Sequence, residues 1–274
     1  MNDFSITTCQ AVNTVAFTQA LAQYLQNELA LSVNYVGDQE ASWSDRLAQV
    51  AQGQIPLGWI CGLHYVRLTD GRLAEEQTGD LELLAAPVQA APRYGAQPHY
   101  FSDLIVCADA NYETPQMLRG ATWAYNEPGS LSGRLSMLHF LATEMGVEQE
   151  DAHHFFGQVV ESGGHANSLK LLLSGQIDCA AIDSTLLDYL LQINPELTGQ
   201  IRILHTLGPF AIPPLVIHRR VPAATRGRVR DLLVTMHSSP AGQQVLATAA
   251  LARFVLCTDA DYDSVRQMHA LCAH

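Results

Sequence analysis

The sequence predicts an α/β protein with two lobes. A strand–helix–strand–helix–strand rhythm runs through the first sixty residues and returns from Gly120 onward, and the chain is 274 residues long with 48% hydrophobic residues. Alternating strands and helices bury one another as a mainly parallel sheet with helical cover. At about 100–200 residues per domain, the length suits two moderate domains better than one.

The elements follow in order. Phe4–Thr8 reads as a strand and Thr14–Glu28 as a helix, with Val15, Leu21 and Leu25 at helical spacing and Phe17 flanking them. Leu31–Val36 alternates like a strand. Ser42–Gln52 reads as a helix capped by Ser42 or Ser44, and Gln54–Ile60 as a buried strand. Cys61–Tyr65 then reads as a loop leaving the third strand, where ligands of open α/β sheets bind. Turn signals at Asp70-Gly71 and Gly79-Asp80 precede two strands, Leu81–Pro87 and Tyr100–Ala108. The second set comprises strands at Ala121–Tyr125, Gly157–Glu161, Asp178–Ile182 and Ile201–Leu204, with helices at Ser132–Gly146, Asn167–Ser174 and Ser184–Ile193. The end reads as helical over Pro222–His237, Pro240–Ala252 and Asp261–Leu271.

Charge removes whole classes of partner. Fifteen basic residues stand against 27 acidic ones, net −12, and Lys170 is the one lysine. Nucleic-acid binders need a basic stripe to offset phosphate charge, so nucleic acid is excluded. A small anion is not, because one pocket can oppose the sign of the whole surface. No apolar run reaches the ~20 residues a membrane helix needs, so no membrane insertion is expected. No Lys or Arg precedes Arg46, so the start does not read as a signal peptide; the expectation is a mature form without its leader or a cytoplasmic protein. Cys9, Cys61, Cys107, Cys179, Cys257 and Cys272 form no Cys-x-x-Cys pair, which argues for buried thiols, a reducing compartment and no metal or other cofactor.

Two segments carry the local chemistry. Asn126-Glu127-Pro128-Gly129-Ser130-Leu131-Ser132-Gly133-Arg134 runs from strand through turn to helix start. Unpaired amides there, with hydroxyls from Ser130 and Ser132, bind an anion or simply cap a helix. Glu161-Ser162-Gly163-Gly164-His165 is a second such turn, with His165 either an anion donor or a packed cap. At a third strand end, Asp183 and Ser184 cap the next helix or face a cleft. Cys61 and His64 share one segment, but nothing supplies the further ligands or orienting acid that a metal site or activated thiol requires, and His153-His154 reads as a solvated turn.

In order and spacing, the stretches Trp123–Gly133, Gly164–Leu169 and Asp178–Ser184 resemble the phosphonate/phosphate/phosphite-binding proteins of ABC importers, the PhnD-like group. The likeness covers roughly residues 55–270, including Tyr100–Val106 and Gly208–Pro214. It implies a type II periplasmic-binding-protein fold, with lobe 1 formed by 1–101 and 213–274, lobe 2 by 102–212, and a ligand enclosed between them by hinge closure. It further implies a monomeric, extracytoplasmic solute-binding protein without catalysis, serving an ABC permease. Ser130, the Leu131 backbone, Ser132 and Gly133 match the family's oxyanion-holding turn, and His165 its anion-contacting histidine. Tyr100 or Phe101 falls at its ligand-facing aromatic, Tyr65 lies in the matching loop, and Asp183 stands close by. Thr185 and Pro213 occupy the places of the acids that receive an ammonium group, which points to phosphate, phosphite or a small alkylphosphonate before an aminophosphonate. The competing readings are an enzyme or a cytoplasmic ligand sensor on the same scaffold.

Overall fold

The computed structural model describes residues 4–37, 43–70, 80–147 and 151–272. The expected cap at Ser42 and the turns at Gly71 and Gly79 lie outside them. The chain forms two compact units, Met1–His99 with Ala211–Asp263, and Tyr100–Phe210 with Ser264–His274.

The first pass of the chain builds β1 (Phe4–Thr8), α1 (Val15–Leu29), β2 (Val33–Tyr35), α2 (Trp43–Ala51), β3 (Leu57–Trp59), α3 (Gly62–Thr69) and β4 (Leu81–Gln89). The middle builds β5 (His99–Cys107), β6 (Thr122–Tyr125), α4 (Ser136–Glu144), α5 (Ala152–Phe155), β7 (Gln158–Glu161), α6 (His165–Leu173), β8 (Cys179–Asp183), α7 (Ser184–Ile193) and β9 (Ile201–Ala211). The return adds β10 (Leu215–His218), α8 (Ala223–Thr235), α9 (Pro240–Ala247), β11 (Leu251–Val255) and α10 (Asp263–Leu271).

Unit 1 holds a six-stranded sheet in the order β11-β4-β10-β3-β1-β2. β1 pairs in parallel with β2 and β3, whereas β10 runs antiparallel to β3 and β4. Phe17, Leu21 and Leu25 lie four residues apart on α1 and are fully buried, the stripe a core-facing helix needs. Phe17 meets Trp59 edge-on at 5.3 Å and Phe254 at 5.7 Å, joining α1, β3 and β11 in one core. Unit 2 holds a five-stranded sheet in the order β7-β6-β8-β5-β9. β6 is parallel to β7 and β8, and β5 is antiparallel to β8. The start of β5 therefore lies beside the carboxyl ends of β6 and β8, the edge where open α/β sheets hold ligands. Leu169 and Leu172 of α6, and Leu187 of α7, pack on Ala180 and Ile182 beneath that edge.

Several elements differ from the expectations. Cys61–Tyr65 is not a loop: α3 begins at Gly62, and Gly62, Leu63, His64, Tyr65, Val66 and Leu68 are all buried. A helix covered on nearly every side shows no amphipathic period by which to read it. The predicted helix over Pro240–Ala252 ends at Ala247, and Leu251–Val255 forms a strand paired with β4. Ala250 turns the chain there through a left-handed φ of 52°. β9 extends to Ala211, well past Leu204, and β10 is a strand the helical reading of the C-terminal part did not include. The last helix, α10, belongs mostly with unit 2 rather than with the other C-terminal helices.

Candidate functional site

β6 delivers the chain to the carboxyl edge of the unit 2 sheet, with Trp123 and Ala124 buried. The chain then folds back on itself. Glu127 accepts the Gly129 amide at 2.7 Å, and Ser130 Oγ accepts the Gly133 amide at 2.9 Å as helix cap. Leu131–Leu135 makes one turn of π-helix before α4 begins, a local irregularity frequent at functional sites. As first-turn groups, the Leu131 and Ser132 amides have no acceptor within their own helix. Ser130, Leu131, Ser132 and Gly133 are all buried.

The turn is held from behind. The Ser132 carbonyl accepts hydroxyls from Ser102 at 2.6 Å and from Ser136 at 2.8 Å. Gly133 is required because a Cβ there would come within 1.7 Å of Asn126 Oδ1 and 3.0 Å of His165 Cε1. Asn126 Oδ1 is itself buried and has no hydrogen-bond partner among the described residues.

α6 brings His165 to the same place. Gly163 takes a positive φ of 76°, and Ser162 ties the turn by donating to the Tyr125 carbonyl and sharing a hydrogen bond with Ser168 Oγ at 2.7 Å. His165, 8% exposed, shares a hydrogen bond with Ser132 Oγ through Nε2 at 3.2 Å. Burial pulls its pKa down to about 4 against the opposing pull of the Ala181 carbonyl, so the ring is neutral at pH 7. A neutral imidazole, two hydroxyls and two first-turn amides form a candidate cradle, chemically able to donate to oxyanion oxygens.

Asp183 ends β8 and caps α7. Its Oδ1 accepts the Thr185 amide at 2.8 Å, the Thr185 hydroxyl at 2.7 Å and the Leu186 amide at 3.3 Å. Ser184 is fully buried and accepts the Phe101 amide at 3.0 Å. Tyr100 is 1% exposed and meets Phe210 edge-on at 6.3 Å, while Phe101 beside it is half-buried. Tyr65 belongs to unit 1, on α3 rather than on the expected loop, and gives its hydroxyl to Asp259 at 2.7 Å. The structure thus brings Ser130, Leu131, Ser132, Gly133 and His165 together, with Asp183 at the same sheet edge. Ser102, Asn126 and Ser162 complete the support. Ser162 lay in a motif already singled out, whereas Ser102 gave only the weak signal of a hydroxyl in an apolar strand.

The other candidates make contacts of a different kind. His64, 3% exposed, stacks on Trp43 at 4.9 Å and is lowered to about 3 by burial, with Arg67 adding to the shift. Burial pushes the Cys9 thiol up to about 12, far from a reactive thiolate. His154 is exposed and bonds Asp151 at 3.0 Å. Among the described residues no three His, Cys, Asp or Glu side chains are disposed to hold a metal ion, and no helix is long and apolar enough to cross a membrane.

Residues 4–262 match a family model described as the periplasmic, phosphonate substrate-binding protein of an ABC transporter. Among solved structures, the chain is similar to PhnD1 from Prochlorococcus marinus in complex with methylphosphonate (TM-score 0.81, 17% identity, 98% of this chain and 97% of that one). It is similar also to the binding protein component of an ABC phosphonate transporter from Pseudomonas aeruginosa (TM-score 0.79, 17% identity, 98% and 86%). The aliphatic sulphonate binding protein SsuA from Escherichia coli shares the fold at greater distance (TM-score 0.63, 16% identity, 99% and 86%). These likenesses establish the type II periplasmic-binding-protein fold. No curated protein matches the chain.

Proposed function

The chain belongs to the phosphonate-binding, periplasmic substrate-binding proteins of ABC transporters, and from that premise we propose that it captures phosphate, phosphite or a small alkylphosphonate for delivery to a permease, leaving the ligand unchanged. The observation that carries this reading is the convergence of Ser130, Ser132, two first-turn amides and neutral His165 within unit 2. Methylphosphonate in the similar Prochlorococcus protein supports the ligand class. Thr185 gives both its amide and its hydroxyl to Asp183, so an ammonium substituent finds no acid at that position.

A thermal-shift panel with phosphate, phosphite, methylphosphonate, 2-aminoethylphosphonate and sulfate tests the proposal. A ligand at a hundred times its Kd stabilises the native state by about 2.7 kcal/mol, a rise of several degrees in Tm for this length. The expected result is a rise with a phosphorus oxyanion lacking the amino group, and the ligand recovered intact by mass spectrometry. A rise with 2-aminoethylphosphonate alone would overturn the ligand assignment. Recovery of a converted product would overturn the binding-protein reading in favour of an enzyme.

A further inference from the structure

The unit 2 cradle is built from neutral donors: two serine hydroxyls, two first-turn amides and a histidine that burial keeps uncharged at pH 7. Arg134, the cation in the same turn, lies over the Tyr125 ring, with its guanidinium carbon 5.6 Å from the ring centre. Three buried or half-buried carboxylates stand along the same sheet edge, with exposed Glu161 at the end of β7. Glu127 bonds the Gly129 amide, and Asp103 is buried and accepts the Thr206 hydroxyl at 2.8 Å. Asp183 is the third.

Geometry sets Asp183 beside the turn. It is the cross-strand partner of Ser102 in the β5–β8 ladder. Directly opposed residues share a sheet face, with Cβ atoms about 4.5–5.5 Å apart. Ser102 Oγ lies 2.6 Å from the Ser132 carbonyl. All three hydrogen bonds to the Asp183 carboxylate fall on Oδ1, which leaves Oδ2 with its acceptor capacity among the described residues.

Resting on the oxyanion site proposed above, we propose that this cradle takes its ligand singly charged and rejects the doubly charged form, with Asp183 as the discriminating group. A phosphonate or phosphite monoanion gives its P–OH proton to Oδ2 in a charge-assisted hydrogen bond. The dianion has no proton to give, and sets its second charge against a fixed carboxylate. Burial pushes Asp183 up to about 6, the three donors on Oδ1 pull it down, and Asp103 adds to the rise. It is therefore ionised at pH 7 and above, where phosphonates lose their second proton, and it neutralises below about pH 6. His165 stays neutral over that whole range, its pKa being about 4. The selection thus comes from Asp183 and the ligand.

Calorimetric titration with methylphosphonate and with methanesulfonate at fixed ionic strength, from pH 7 to 9, tests this. Methylphosphonate affinity is expected to fall about tenfold per pH unit above its second ionisation. Methanesulfonate, singly charged throughout, stays level if it binds. Asp183→Asn keeps a residue that caps as well as Asp, and is expected to flatten the methylphosphonate slope. A wild-type affinity that holds or rises through the second ionisation overturns the charge selection while leaving the functional proposal intact. A slope unchanged in Asp183→Asn overturns the role of Asp183. Failure to bind any phosphorus oxyanion at any pH, wild type included, defeats the functional proposal and this one together.

Discussion

Each unit has a strand-to-helix turn at the carboxyl end of a parallel strand, with a buried, neutral histidine beside it, and the two turns are satisfied in different ways. In unit 2 the turn after β6 is capped by Ser130, and His165 bonds Ser132. In unit 1 the turn after β3 has Cys61 at the cap position with no side-chain capping hydrogen bond, and His64 stacks on Trp43. Both histidines are held low, His165 to about 4 and His64 to about 3. Burial and a depressed pKa therefore do not distinguish the two. What separates the two is the company of hydroxyls and amides with capacity left to donate.

The comparison breaks most sharply at its glycines. Gly133→Ala drives a methyl into Asn126 and His165, whereas at Gly62 the nearest atom to an added Cβ, on Tyr262, is 3.4 Å away. Gly133→Ala is expected to cost about 1–3 kcal/mol of stability by overpacking and more than about tenfold in oxyanion affinity. Gly62→Ala should melt within a degree or two of wild type. Equal Tm values for the two variants would mean that the packing around Gly133 is not rigid.

Removing the histidines gives the next effect. In the proposed site His165→Ala deletes a hydrogen bond to a charged ligand, an expected loss of roughly 1.5–3 kcal/mol or about 10–150-fold in Kd by calorimetry. His64→Phe keeps the ring on Trp43 and is read through acid stability instead. A His whose folded pKa lies below its unfolded value of 6.5 binds protons preferentially in the unfolded chain, so it destabilises as pH falls below 6.5 toward its folded pKa. Urea midpoints should fall between pH 6.5 and 4.5 in the wild type and fall less in His64→Phe. Asp183 acts with the opposite sign, its raised pKa favouring the folded state as pH drops through about 6. The wild-type-minus-variant difference isolates the histidine. An identical pH profile in His64→Phe would contradict the depressed pKa.

The smallest effect should come from Ser102→Ala, which removes one of two hydroxyls on the Ser132 carbonyl. About 1 kcal/mol of stability and a several-fold loss of affinity are expected. Unaltered affinity would confine Ser102 to a structural role.

Legibility followed the range of the interactions. Ser130 and the Gly163-Gly164 turn were readable because capping and a left-handed turn are local chemistry, whereas Gly133, whose close neighbours Asn126 and His165 lie further along the chain, was marked by the family resemblance alone. The same held for β1 and for α1, although Phe17, read as flanking, takes the place of Val15 beside Leu21 and Leu25 on the buried stripe. α3 was missed because burial on nearly all sides erases amphipathic period, and β11 because Leu-Ala-Arg-Phe-Val continues a helical stretch in sequence while Leu251 and Phe254 are captured by the core. Ser102 was unreadable for a different reason. Its partner is thirty residues away, and only the placement of β5 beside β8 joins them.

The hydroxyl of Ser102 reaches further than its own contact. It polarises the peptide joining Ser132 to Gly133, whose N–H is donated in turn to Ser130 Oγ. Ser130, having accepted, keeps its own proton to give. Hydrogen bonds in series reinforce one another when each group both donates and accepts. In the proposed site, the acidity a ligand oxygen would meet at Ser130 is thus adjusted from the opposite side of the turn, by a strand residue that never needs to touch the ligand.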